Sequence, residues 1–331
     1  MNSAKKLLLV GSLVLGTVIL LWIASPTLPE KILSKTEIFV NQQLASWMPI
    51  SQADSAAILA ANPARKRIPS GSVVTFAAIG DYGTAGKAEA DIASLVTGWK
   101  PDFILAVGDN NYDSGAAGTI DDNIGQYYHS YIFPYVGKYG PGATTNQFFP
   151  VLGNHDWIST NAQPYDNYFL QEGSKRYYDF VRGPVHFFML DSDTHEPDGI
   201  SATSTQALWL KTGLANSTSQ WNVIVLHHAP YSSGKHGSTL TAQWPFAAWG
   251  ADAVISGHDH TYERLLHDQI PYFVDGLGGS SIYEFGEPLP GSQVRYNADY
   301  GALRVTASDS ALKFEFINRG GVLIDTFSLG G

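Results

Sequence analysis

The stretch FILAVGDNNYD, residues 103–113, is a short apolar run that stops abruptly on a polar turn. Phe103–Val107 reads as a strand, and Gly108-Asp109-Asn110-Asn111 carries turn residues. The same pattern recurs along the chain. Val73–Ile79 ends in GDYG, Phe148–Leu152 in GNHD, Val223–Leu226 in HHAPY, and Ala253–Ile255 in SGHDH. Five apolar runs therefore each end in side chains that ligate metals or move protons.

Between these runs lie helical patterns at Ala85–Trp99, Ile120–Tyr131, Thr205–Leu214 and Leu240–Trp249. Alternation of strand and helix predicts a parallel-rich sheet with helices outside it. Tyr177–Val181 and Val185–Leu190 predict an antiparallel pair. Leu303–Ala307, Leu312–Ile317 and Val322–Phe327 predict a closing antiparallel set. The expected fold is mixed α/β: two mixed β-sheets packed face to face and flanked by helices. In such sheets ligands gather beyond the carboxyl ends of the strands.

Composition narrows the function. The formal charge of −10 disfavours a nucleic-acid backbone as partner, since that partner calls for a basic surface. With no cysteine among 331 residues, disulfides, thiolate zinc sites and cysteine nucleophiles are excluded. No G-x-S-x-G elbow is present either. At the N-terminus Lys5 and Lys6 precede an uncharged, mainly apolar run, Leu7–Ala24. That run is long for a signal-peptide core, and Trp22 sits where a cleavage site wants a small residue. The expectation is an exported protein, membrane-anchored through this segment if it is uncleaved, otherwise periplasmic or extracellular. Residues 1–25 are expected as signal anchor or signal peptide, 26–70 as a stalk with a solvated basic patch at Arg65-Lys66-Arg67, and 71–331 as the catalytic domain.

The strand endings supply seven candidate metal ligands: Asp81, Asp109, Tyr112, Asn154, His228, His258 and His260. That donor set is too large for one ion and suits two. Two ions a few ångströms apart need a bridge, and Asp109 is expected to provide it with one oxygen to each ion. His258 and His260 lie two apart in an extended segment, so both imidazoles face one side.

GDYG, GDNNY, GNHD, VLHHAP and GHDH, in this order, resemble the five blocks of the purple acid phosphatases within the calcineurin-like metallophosphoesterases. The resemblance covers residues 73–330 and is nearest the small, tartrate-resistant type. It implies a four-layer sandwich and hydrolysis of small phosphate esters by a metal-bound hydroxide at a dinuclear centre. Much of the wider superfamily has Asp-x-His in the first block. Here Gly83 stands at the histidine position, and Tyr112 fills the gap. A phenolate argues for Fe(III) at the first site, held by Asp81, Asp109, Tyr112 and His260. The second ion, Fe(II), Zn(II) or Mn(II), would be held by Asp109, Asn154, His228 and His258. The choice of His228 over His227 rests on the His-x-Pro pattern, with His227 as a supporting neighbour. His155 and His236 match the family's proton-handling histidines, and Asp156 is expected to orient His155 or its loop. Tyr231 and Tyr262 are expected to line the cleft. A phosphodiesterase or nucleotide phosphatase is the alternative reading, and a non-hydrolytic iron or phosphate-binding protein a remote one.

Overall fold

The structure is a computed structural model that describes residues 66–169 and 176–330. The apolar run Leu7–Ala24 and most of the expected stalk lie outside the described residues. Among the described residues no helix is long and apolar enough to cross a membrane.

Two mixed sheets form the centre. From edge to edge, the first runs β13 (Leu323–Gly330), β12 (Ala311–Asn318), β11 (Gly301–Ala307), β1 (Val74–Ile79), β2 (Phe103–Ala106) and β3 (Phe148–Pro150). Strands β1, β2 and β3 are parallel to one another; β11, β12 and β13 add on antiparallel. The second sheet runs β10 (Ser292–Tyr296), β8 (Tyr262–His267), β9 (Ile270–Asp275), β7 (Ala253–Gly257), β6 (Trp221–His228), β5 (Val185–Met189) and β4 (Tyr178–Arg182). Its β5, β6, β7 and β9 are parallel.

The alternation of side chains across each strand builds the layers. Phe76, Phe103, Val223, Val225, Ile255 and Phe314 point between the sheets and form the central core. Ala77, Ile79 and Ile104 point outward to Ile92 and Val96 of helix Lys87–Gly98. Ile224, Leu226 and Val254 point outward on the other side to Leu210 and Leu214 of helix Thr205–Asn216. The order is helix, sheet, sheet, helix, as expected for the four-layer sandwich.

Three local expectations change. Leu240–Trp249 is not one helix but a turn, Leu240–Ala242, and a short helix, Phe246–Trp249, because Pro245 lacks the amide that would continue the ladder. Residues 121–131 pass through π, α and 3-10 geometry in succession. Strands β8, β9 and β10 were not anticipated, since buried charges such as Glu263 and Asp275 hide their period. At the N-terminal side, Arg67 is not a freely solvated cation. It pairs with Asp252 at 3.2 Å and lies over the Trp221 ring.

Candidate metal centre

Each ligand candidate leaves the carboxyl end of a parallel strand or the loop that follows it. Asp81 follows β1, Asp109 follows β2, Asn154 follows β3, His227 ends β6, and His258 follows β7. Asp81, Asp109 and His258 have φ of 55°, 51° and 71°, a left-handed region that costs a branched backbone energy. The surrounding contacts hold them there. The His258 amide donates to Asp81 Oδ2 at 2.9 Å, and the His155 amide donates to Asp109 Oδ1 at 2.9 Å. Gly257 is required by close approach: a Cβ there would sit 2.5 Å from Asp81 Oδ2.

Two clusters of donor atoms result. In the first, the Tyr112 hydroxyl lies 3.2 Å from Asp81 Oδ1, 3.0 Å from Asp109 Oδ2 and 3.1 Å from His260 Nε2. His260 Nε2 is also 3.3 Å from Asp81 Oδ1. In the second, His227 Nε2 lies 3.5 Å from Asp109 Oδ2, 3.2 Å from Asn154 Oδ1 and 3.3 Å from His258 Nδ1. Asp109 Oδ2 belongs to both. The expectation that each Asp109 oxygen serves one cluster is corrected: Oδ1 is taken by the His155 amide, and Oδ2 alone is shared.

His228 stands beside the second cluster. Its Nδ1 meets the Ser192 hydroxyl at 2.9 Å, and its ring only flanks that of His258. His227 occupies the cluster instead, fully buried. Val223 and Val225 face the other sheet and Ile224 and Leu226 the outer side; the pairing of β6 with β7 is irregular between Val225 and His228, and His227 Nδ1 meets the Val107 carbonyl after β2. A period-two count back from His227 was available in the sequence, but both faces of β6 are apolar, so it carried no contrast. The other six candidates come together.

Outer contacts fix the imidazoles. His227 Nδ1 donates to the Val107 carbonyl at 2.9 Å and His260 Nδ1 to the Ser281 carbonyl at 2.9 Å, so each aims Nε2 inward. The electrostatics match a site built for cations. Burial opposes a charge on His227, but the Asp109 carboxylate, with Asp81 behind it, pushes it up to about 10. Burial and the neighbouring carboxylates of Asp81 and Asp109 push the Tyr112 phenol far up. Burial and the His227 charge push His258 down and His228 down to about 4. A cation would reverse the upward shifts of His227 and Tyr112 and add to the downward shift of His258, because it favours the deprotonated donors. Oxygen and imidazole donors at mutual distances near 3 Å fit a pair of ions. Among the described residues, ligand atoms of Asp81, Asp109 and His227 lie within 4.8 Å of one another.

Of the two proton-handling candidates, His155 places its ring 4.5 Å from that of Tyr112, with Nε2 3.9 Å from Asp109 Oδ2. His236 stacks on His258 at 4.4 Å. Asp156 does not touch His155; it accepts from the Asn110 side chain at 2.8 Å and the Gly153 amide at 2.9 Å, tying two ligand loops together. Tyr231 packs on His267, and Tyr262 is buried against Phe316, so neither lines the site. Tyr283, which sequence reasoning missed, stacks on His260 at 4.0 Å. Its signal was faint: it follows the GLGGSS turn, whose Ser280 amide donates to the Asp81 carbonyl.

Residues 74–262 match the calcineurin-like phosphoesterase family. The chain belongs to that family. Within it the chain is similar to purple acid phosphatases. It is 24% identical over 301 residues to purple acid phosphatase 7 of Arabidopsis thaliana, covering 81% of this chain and 89% of that one. It is 25% identical over 284 residues to tartrate-resistant acid phosphatase type 5 of Homo sapiens, covering 73% and 82%. The fold is shared with a purple acid phosphatase from yellow lupin (Lupinus luteus) seeds, at TM-score 0.65 and 18% identity over 80% of this chain; the chain spans 55% of the lupin protein. It is also shared with GAP50, titled the anchor in the inner membrane complex of Plasmodium, at TM-score 0.61 and 20% identity over 78% of this chain and 89% of that one.

Proposed function

We propose that this metallophosphoesterase is an exported acid phosphatase that hydrolyses phosphomonoesters on an Fe(III)–M(II) pair. The observation that carries the reading is the shared Asp109 Oδ2, which joins a cluster containing a phenol to a cluster without one. Asp81, Asp109, Tyr112 and His260 would hold the ferric ion. Asp109, Asn154, His227 and His258 would hold Fe(II), Zn(II) or Mn(II). Such a pair neutralises a phosphate's charge and activates the attacking water.

The chain's own groups do the rest. His155 donates Nδ1–H to the Asp113 carbonyl at 2.5 Å, which leaves Nε2 to deliver a proton to the leaving oxygen. His236 stands over the other ion's ligands and stabilises charge on the phosphoryl oxygens. The Asp156 contacts keep the Asp109 and Asn154 loops in register, so both face one phosphate. Export rests on Lys5-Lys6 followed by the Leu7–Ala24 run. The complete donor set supports hydrolysis over a purely architectural role, although the Plasmodium anchor shows that the fold serves other ends.

The test is metal analysis of the purified protein with p-nitrophenyl phosphate turnover across pH. One iron and one further ion per chain, a visible absorption band and an acid optimum are expected. A fully metal-loaded protein that releases no phosphate would overturn the reading.

A further inference from the structure

The backbone of Tyr112 is gripped on both sides. Its amide donates to the Gly83 carbonyl at 2.7 Å, and its carbonyl accepts from the Asn123 side-chain amide at 3.1 Å. The same NH2 group donates to the Gly83 carbonyl at 2.7 Å and to Asn111 Oδ1 at 2.8 Å. Three acceptors around two N–H bonds leave that nitrogen fully engaged. Asn123 thus ties the loop after β1 to the loop after β2, at the residue that carries the phenol.

Asn123 stands on a fixed base. It lies in the π-helical turn Asp121–Gly125, where the Gln126 amide reaches back to the Asp121 carbonyl. Wide turns of this kind are rare and gather at functional sites. Ile120 and Ile124 on either side are buried in the layer outside β1 and β2. The Asp121 carboxylate accepts from the Tyr135 hydroxyl at 2.7 Å, the Tyr168 hydroxyl at 2.9 Å and the Lys138 amide at 3.0 Å. Asn123 itself is 5% exposed, so solvent has little access to compete for its NH2 group.

The phenol depends on this grip because of its reach. Only two torsions separate the Tyr112 backbone from its ring. The hydroxyl meets Asp81 Oδ1, Asp109 Oδ2 and His260 Nε2 together, at 3.2, 3.0 and 3.1 Å. A ligating group works when it is held within about 0.5 Å and 10–20° of its productive position. The Asn123 NH2 group serves two carbonyls and the Asn111 side chain, and no ligating atom.

We propose that Asn123 is a positioning residue that sets where the Tyr112 phenol oxygen sits in the first cluster. The proposal rests on the ferric reading of that cluster for its chemical meaning, but zinc binding tests it separately.

The experiment compares wild type, Asn123→Ala, Asn123→Ser and Asn222→Ala in the full chain. Asn222 is a matched control near the start of β6: it is buried, donates to the Gly250 carbonyl at 2.9 Å and accepts from the Ser217 hydroxyl at 2.6 Å. All three variants are expected to melt at a lower temperature. Only the Asn123 variants should shift and weaken the visible band of the iron-loaded protein, Asn123→Ser less because it keeps a shorter donor. Zinc affinity is measured in two backgrounds. Asn123→Ala should lose about tenfold with Tyr112 present, the low end for a group acting behind a ligand, and nothing in Tyr112→Phe. An unshifted band, a shift as large in Asn222→Ala, no zinc loss with Tyr112 present, or an equal loss in both backgrounds overturns the proposal. If Asn123→Ala does not fold, Asn123→Ser reads the same outcomes. Iron-loaded wild type without a band, with the zinc losses as expected, would overturn the ferric reading and leave the positioning role standing.

Discussion

The Tyr112 hydroxyl lies 3.0 Å from Asp109 Oδ2, and that same oxygen is 3.5 Å from His227 Nε2. Three residues apart on one loop, Tyr112 and Asp109 converge on a single point that two donor clusters share. The phenol is the only donor in either cluster that gains a strongly coloured bond with a ferric ion.

Tyr112→Phe removes the phenol and keeps the ring. The variant is expected to lose its visible band and most of its iron while remaining folded. Absorption spectroscopy and metal analysis check this. A band of wild-type intensity in the variant would sink the ferric assignment.

His227 and His228 separate the structural reading from the His-x-Pro pattern. His227→Ala should lose the divalent ion and at least about 100-fold in turnover, beyond the range usual for an outer partner. His228→Ala should retain both ions, since its imidazole reaches Ser192 rather than the cluster. Metal counts on the two purified variants decide between them, and the reverse outcome restores the pattern.

Metal loading should release protons. Without metal, His227 is pushed up to about 10, so it is charged at pH 7 and loses its proton only as pH rises through that value. The Tyr112 phenol is held higher still by burial and two carboxylates. Both groups must lose a proton to ligate, and Asp81 also pushes His260 up, so at least about two protons per chain are expected at neutral pH. An indicator dye in weak buffer reads the release, and Tyr112→Phe should lower it by about one. No release on loading would contradict the donor assignment.

Gly83 stands where much of the superfamily places histidine, and its surroundings admit no side chain. A Cβ there would lie 1.7 Å from the Asn110 carbonyl oxygen. The Gly83 carbonyl also accepts from the Tyr112 amide at 2.7 Å. Gly83→Ala is therefore expected to cost about 1–3 kcal/mol, the usual toll of overpacking. It should also loosen iron, by moving the Tyr112 loop. Thermal melts and iron content measure both; an unshifted melting temperature would show that the loop yields without strain.

The strand endings around Asp81, Asp109, Asn154 and His258 were legible because each pairs an apolar run with a ligand at its carboxyl end. Strands β8 and β9 were not, because Glu263 and Asp275 are buried in positions where a charge normally signals exposure. Glu263 answers to partners distant in sequence, Ser233 and Ser292.

By itself the sequence determined the kinds of donor, their order and the two-sheet plan, since these follow from residue type and apolar periodicity. Only the tertiary structure decided that His227 and not His228 faces the centre, that one oxygen of Asp109 is shared, and that Asn123 holds the Tyr112 carbonyl. The reason is physical. A strand buried on both faces has no polar side to orient it, so the packing of one sheet on the other chooses which face meets the ions.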